Sequence, residues 1–330
     1  YISPRVREAG LMPEFGHRDS ENEKRFRSIL ENLRKIAGVG EEYEVILVPG
    51  SGSNAMESSI RSLVADEDKV LNVSVGAFGE LYHKIALANG KDAEVLSFEP
   101  GKSVDEELLE DALKKIRPQV VTITHNETST GVINDVAAAC RLVRRYDALP
   151  LVDGVSIFGG CQANIAESEA AVYSTSTQKC LALPAGLGIA IVRKDALEKA
   201  GHVPNRGYVT DLLEHSKKAA KFQTLTTPNC TLANQMYVQL EYILNEEGTE
   251  SRFTRHMQMR DLTHDWVRQL PDCFELFAEE QARSPSVTAL RVPFDMETLK
   301  RIKEEMRKQG YLMDIGYGKL NKALEGEGQA

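Results

Sequence analysis

The stretch "AAVYSTSTQKCLALPAGLGIAIV", Ala170–Val192, sets how the rest of the chain is read. Its ends, "AAVYSTS" and "GLGIAIV", are short apolar and β-branched runs with the composition of buried strands. Between them stands one lysine, Lys179, among small hydroxyl side chains and apolar residues, with Pro184, Gly186 and Gly188 just beyond. Such a lysine either reaches water from a loop or has an amine that does chemistry. In a mostly apolar pocket the charged form is disfavoured, which leaves a free amine to attack carbonyl carbons.

Working outward, the chain alternates strand-like and helix-like segments from about residue 43. "EVILVPG" (44–50), "KVLNVSVG" (69–76), "AEVLSF" (93–98), "VVTITHNE" (120–127) and "LPLVDGVS" (149–156) read as strands. Between them, 53–64, 78–90, 103–116 and 134–147 read as amphipathic helices, the third capped by Ser103. Near-continuous apolar strands alternating with helices predict an α/β fold: a mainly parallel sheet with helices on both faces. Such sheets bind ligands at the carboxyl ends of their strands. After about 230 the texture changes to a long helical run (233–248 continuing into 252–270), a strand at 286–293 and a helix at 295–310, a smaller α+β region. The expected division is a large domain over 1–245, with 1–20 as an N-terminal arm, and a small C-terminal domain over 246–330.

The bulk properties narrow the function. The 330 residues carry a formal charge of −9 and no dense basic run, so nucleic acid is not an expected partner. The longest apolar runs are too short to span a bilayer, and no signal peptide is expected. Five cysteines without CxxC spacing fit a reducing compartment and a cytoplasmic enzyme. Seven scattered histidines form no HxxxH pair, and no metal site is expected.

Candidate chemistry collects at the strand ends. In "VPGSGSNAME" (48–57) a strand meets a glycine-rich turn and then a helix, so the amides of Ser51, Gly52 and Ser53 could point at an anion such as a phosphate. The turn is neither a Walker motif nor GxGxxG, since Ala55 stands at the third glycine position. Asp153 ends "LPLV", and a carboxylate there calls for a cationic partner such as a protonated ring nitrogen. Lys179 lies 26 residues further on, about one strand and its loop, so the two could face one crevice. Phe78 follows another strand-to-helix turn, where an aromatic ring could stack on a flat ligand. Each feature also has a purely structural explanation. Together, a nucleophilic lysine, an acid for a ring nitrogen and an amide cradle for a phosphate are what pyridoxal 5′-phosphate requires.

With these residues in view, the chain resembles the class V aminotransferases of pyridoxal-phosphate fold type I, and within them the alanine/serine–glyoxylate (serine–pyruvate) group. The similarity is carried by "GSGSNAMESSIRSLV", "GAFGE", "THNETSTGVIND", "LVDGVSIFGG", "STSTQKCLALPAGLG", "RGYVTDLL" and "TLTTPN", and spans roughly residues 16–230, more weakly to 320. The resemblance implies a seven-stranded, mainly parallel sheet and a homodimer with shared active sites. It implies that Lys179 forms a Schiff base with the cofactor and shuttles the substrate's α-proton, and that Asp153 holds the ring nitrogen protonated. Ser51, Gly52 and Ser53 would bind the phosphate with help from Gln178. Phe78 would stack on the ring where many relatives carry tryptophan, Thr128 would contact its oxygen side, and Val155 would pack on the opposite face. Gln223 and Thr226 would reach the phosphate in the partner's site.

The implied reaction moves an amino group from a small amino acid, alanine or serine, to a small 2-oxo acid, glyoxylate or pyruvate, by a ping-pong mechanism. Phosphoserine and 2-aminoethylphosphonate aminotransferases remain as alternatives, the former because "GHRD" (16–19) resembles a phosphate-gripping His-Arg pair. Cysteine desulfurase, a catalytically silent relative and a nucleotide-binding Rossmann protein are further readings. Relatives carry a carboxylate-binding arginine in an "RIGHMG"-like strand after "GYGKL"; the sequence reaches Ala330 without one and lacks a "GP-P" opening, so truncated ends are expected.

Overall fold

The structure, a computed structural model, describes residues 1–317. Its centre is a seven-stranded sheet in the spatial order Tyr43–Gly50, Gly186–Arg193, Val172–Ser176, Leu149–Asp153, Val120–Thr124, Lys69–Ser74 and Asp92–Ser97. All neighbouring pairs are parallel except those of Gly186–Arg193, which runs antiparallel to both Tyr43–Gly50 and Val172–Ser176. The sheet is the one expected from the alternating pattern, because parallel strands need helical crossovers and these cover both faces.

Two apolar layers follow from that geometry. Phe26, Ile29 and Leu33 from the Ser20–Ala37 helix pack with Val121, Ile123, Ile189 and Ile191 on one face. Met56, Ile60 and Leu63 from the Gly52–Leu63 helix, with Tyr82, pack with Ile46, Leu151, Val172 and Ala190 on the other. Alternation within a strand sends neighbours to opposite layers, as Ile189 and Ala190 show. Burying each such aliphatic side chain contributes roughly 1.5–3 kcal/mol.

Several predicted boundaries move. The helix expected over 103–116 starts at Glu106, and its cap is Asp105, whose carboxylate accepts the Leu108 N–H; Ser103 instead meets Glu279. The strand expected over 120–127 stops at Thr124, and Asn126–Glu127 forms its own short ladder with Val132–Ile133. The long run after 230 is two helices, Cys230–Tyr242 and Thr249–Arg268, separated by a π-helical turn at Ile243–Glu247 and by Gly248 at φ +78°. That left-handed backbone is open to glycine and ends the first run. The strand expected over 286–293 shrinks to Leu290–Arg291, paired with Glu275–Leu276, before the helix Met296–Lys308. The expected small domain extends to 330, and its last part, with most of "GYGKLNKALEGEGQA", lies outside the described residues.

Candidate active site

Asp153 is the last residue of a central strand and is buried, with Thr124 and Ser174 beside it in register. The chain turns away at once because Gly154 leaves room for the Tyr173 ring, which a Cβ would meet at about 2.0 Å. Behind it the Tyr173 hydroxyl and His125 Nδ1 lie 2.8 Å apart, and the His125 N–H donates to the Asp153 carbonyl at 2.8 Å. Burial lowers the His125 imidazole to about 4, so this backing is neutral.

Among the described residues the Asp153 carboxylate has one hydrogen-bond donor, the Val155 N–H at 2.9 Å. Burial pushes the carboxyl up to about 7. The Val155 N–H counters that rise, the Glu127 charge adds to it, and the Lys179 charge opposes it. A buried acid this thinly solvated is chemically incomplete. A cation placed against it would restore the ionised form.

Lys179 follows the strand Val172–Ser176, in the loop before Gly186–Arg193. The expectation of a lysine set in an apolar pocket is corrected here: Lys179 is exposed in the single chain, while residues 171–177 are buried. Its loop is nonetheless well fixed. The Ala182 N–H donates to the Lys179 carbonyl at 2.9 Å, and Thr177 Oγ1 donates to the Pro184 carbonyl at 2.7 Å. Gln239 Nε2 donates to the Leu181 carbonyl at 3.0 Å. Buried Arg252 donates to the carbonyls of Gly159 and Cys180 and pairs with Glu247 at 2.6 Å.

The glycine-rich turn stands beside this crevice. The Gly52–Leu63 helix begins at Gly52, after Gly50 at φ +115°. Gly188 lies against the Ser51 carbonyl, which a Cβ would meet at 2.5 Å, and Gly52 faces the Val155 side chain at 2.3 Å in the same sense. Ser51 departs from its expected role as an amide donor to the anion. Its N–H and hydroxyl both donate to Asn54 Oδ1, at 2.8 and 3.1 Å, so its amide is already engaged. Among the described residues the Gly52 and Ser53 amides have no acceptor. Two free amides at the start of a twelve-residue helix suit an anion.

Phe78 stands in the first turn of the Ala77–Ala88 helix, and its ring is stacked on Tyr317, with centroids 5.3 Å apart and planes 13° apart. It is therefore a platform already shaped for a flat ring. Glu127, which sequence reasoning missed, is buried behind it and accepts the N–H groups of Phe78 and Gly79. Thr128 follows directly. Thr124 Oγ1, Ser176 Oγ and Gln178 Oε1 are buried without partners among the described residues, so the strand ends retain unused polar atoms. Gln223 and Thr226 do not join this cluster: Gln223 Nε2 donates to Glu23 at 2.6 Å, and the Thr226 carbonyl accepts from Thr224.

The arrangement is thus a primary amine, a buried carboxylate awaiting a cation, two free helix-start amides and an aromatic platform around one end of the strands. A sequence model of the family described as Aminotransferase class-V matches residues 9–311. The chain belongs to the class V aminotransferase family. An uncharacterised aminotransferase of Methanocaldococcus jannaschii is 35% identical over 302 residues, covering 91% of this chain and 77% of that protein. A 2-aminoethylphosphonate–pyruvate transaminase of Bacillus cytotoxicus is 28% identical over 314 residues, covering 92% and 83%. The crystal structure of an alanine–glyoxylate aminotransferase from Nostoc sp. superposes with a TM-score of 0.88 at 25% identity, covering 97% of this chain and 84% of that one. The described residues include no group of side chains suited to a metal ion and no helix long and apolar enough to cross a membrane.

Proposed function

We propose that the chain is a pyridoxal-phosphate-dependent transaminase that passes an amino group from a small amino acid, alanine or serine, to glyoxylate or pyruvate. The observation that carries the cofactor reading is Asp153, a buried carboxylate with one donor and a carboxyl raised to about 7, which lacks the cation that a pyridinium nitrogen provides. The residues present fit the group. Gly52 and Ser53 would offer amides to its phosphate, with Gln178, whose buried Oε1 has no partner among the described residues, as a further contact, and Phe78 would offer a ring to stack on. Thr128 would contact the ring's oxygen side, and Val155, whose side chain lies against Gly52, would pack on the opposite face. When bound, the cofactor supplies an electron sink for the amino acid's α-carbon.

The chain's own residues do the rest. Lys179 Nζ would be the amine that holds the cofactor and, once free, the base that moves the proton at the substrate's α-carbon. Asp153 would hold the proton on a ring nitrogen placed against its carboxylate, which would let the ring accept negative charge developing at that carbon. Arg252 and Gln239 keep the Lys179 loop from drifting off line. Two half-reactions at one amine give ping-pong kinetics. A homodimer completes the reading, with Gln223 and Thr226 turned to the partner's phosphate; Gln223 then exchanges Glu23 for that anion.

The acceptor assignment draws on the relatives, whose names specify glyoxylate or pyruvate. The Bacillus cytotoxicus relative, matched over 92% of this chain, favours 2-aminoethylphosphonate as a second candidate donor. The test is a visible spectrum of the protein with pyridoxal phosphate, repeated after separate additions of L-alanine, L-serine, L-phosphoserine and 2-aminoethylphosphonate. Conversion of the lysine-bound band by alanine or serine is expected. Conversion only by a phosphonate or phosphate donor would reassign the substrate, and no band with excess cofactor would overturn the cofactor reading.

A further inference from the structure

We propose that Glu127 is a positioning residue of this site: its buried carboxylate ties the Phe78 platform to the turn that carries Thr128, and so fixes the slot in which a flat cofactor ring lies. The role rests on the cofactor reading given above. The two oxygens divide the work. Oε2 accepts the Phe78 N–H at 2.9 Å and the Gly79 N–H at 3.3 Å, while Oε1 accepts the Ser129 N–H at 3.0 Å and the Ser129 hydroxyl at 2.6 Å. Four donors from two separate segments converge on one fully buried carboxylate.

The surrounding backbone is shaped for this clamp. The Ala77–Ala88 helix has no side-chain cap from its own N-cap residue, Gly76, so Glu127 supplies acceptors for its first-turn amides from 49 residues away. Gly76 leaves room for the carboxylate, since a Cβ there would meet Glu127 Cγ at 2.5 Å and Ser129 Oγ at 2.6 Å. The Ala77 N–H donates to Ser129 Oγ at 3.0 Å, which closes the clamp on its far side. Phe78 cannot shift along its helix axis, nor Thr128 along its turn, without breaking a charge-assisted bond.

The experiment is a double-mutant cycle on pyridoxal phosphate affinity, read by absorbance and by circular dichroism of the bound cofactor, in the parent, Glu127→Gln, Phe78→Ala and the double variant. Glutamine keeps the shape but must turn an NH2 toward donors on one side. The expected result is affinity weakened about tenfold in Glu127→Gln, as for loss of a charge-assisted bond. The dichroism band should diminish as the ring loses its fixed orientation. In the Phe78→Ala background the same change should cost less than about twofold, because the platform it positions is gone. Equal losses in both backgrounds, tracking a drop in the cofactor-free melting temperature, would show a structural role only and overturn the proposal. A parent chain that binds no cofactor contradicts the underlying reading and the role with it; a binding parent with additive losses contradicts the role alone.

Discussion

The main sheet and the Thr249–Arg268 helix treat similar apolar side chains in opposite ways. Ile123, Leu151, Ile189 and Ile191 are fully buried between helical layers. In the helix Met259, Leu262 and Trp266 are exposed, Leu262 by 71%, and its buried residues are Arg252, His264 and Val267. Arg252 is buried because it reaches into the loop that carries Lys179. The sheet is therefore held by apolar packing, and the helix is tied to the site largely through polar contacts. Stability should reside mainly in the first region, whereas catalysis should be sensitive at the strand ends that both regions meet.

Substitutions that keep the fold but remove chemistry sharpen this contrast most. Lys179→Ala should lower transamination by about 10³-fold or more, the scale of losing a nucleophile and acid–base group together, with an unchanged melting temperature because the side chain is exposed. Asp153→Asn should cost about 10²-fold in turnover, as for removal of one electrostatic partner of the reacting system. Thermal melting and initial-rate kinetics on the same preparations test both. Ile189→Ala should instead destabilise the chain by about 2–5 kcal/mol in urea, through transfer and cavity terms. Leu262→Ala should shift stability by no more than about 0.5 kcal/mol. If Leu262→Ala costs as much as Ile189→Ala, the contrast between the regions fails.

The site's ionisable pair offers a finer test. Burial raises the Asp153 carboxyl from 3.8 to about 7, so its contribution to stability is present below the lower value and is lost as pH rises through the higher one. Burial lowers the His125 imidazole from 6.5 to about 4, so its contribution is present above the higher value and is lost as pH falls through the lower one. The two trends oppose each other in the cofactor-free protein. Asp153→Asn removes one of them, and the melting temperature should then fall more steeply on acidification from about pH 7 to about pH 4 than in the parent. Parallel profiles would contradict the raised carboxyl.

The sheet was legible in the sequence because period-two and continuous apolar runs are local signals, and each strand expected between about residues 43 and 192 is present, five of the seven in parallel pairs. The break at Gly248 was missed because helix-favouring glutamates stand on both sides of it, although the glycine in the polar run 245–252 was itself the signal. The Ser103 cap was misassigned for a related reason: an aspartate two residues later competes for the same amides and takes the Leu108 N–H. At the site, Lys179, Asp153 and the glycine turn could be picked out because unusual residue types stood at strand ends. Glu127 could not, since its partners are mainly backbone amides, and those from Phe78 and Gly79 leave no trace in residue identity. The engagement of the Ser51 amide by Asn54 was equally invisible, and so was the exposure of Lys179, which depends on what packs over the loop.

Whether Lys179 is the residue that takes the cofactor is answered by borohydride reduction of the protein with stoichiometric pyridoxal phosphate, followed by peptide mass mapping. One reduced phosphopyridoxyl group is expected on the peptide containing Lys179, and none on that peptide when Asp153→Ala removes the acid that favours binding. A label scattered over surface lysines with Lys179 unmodified would contradict that assignment.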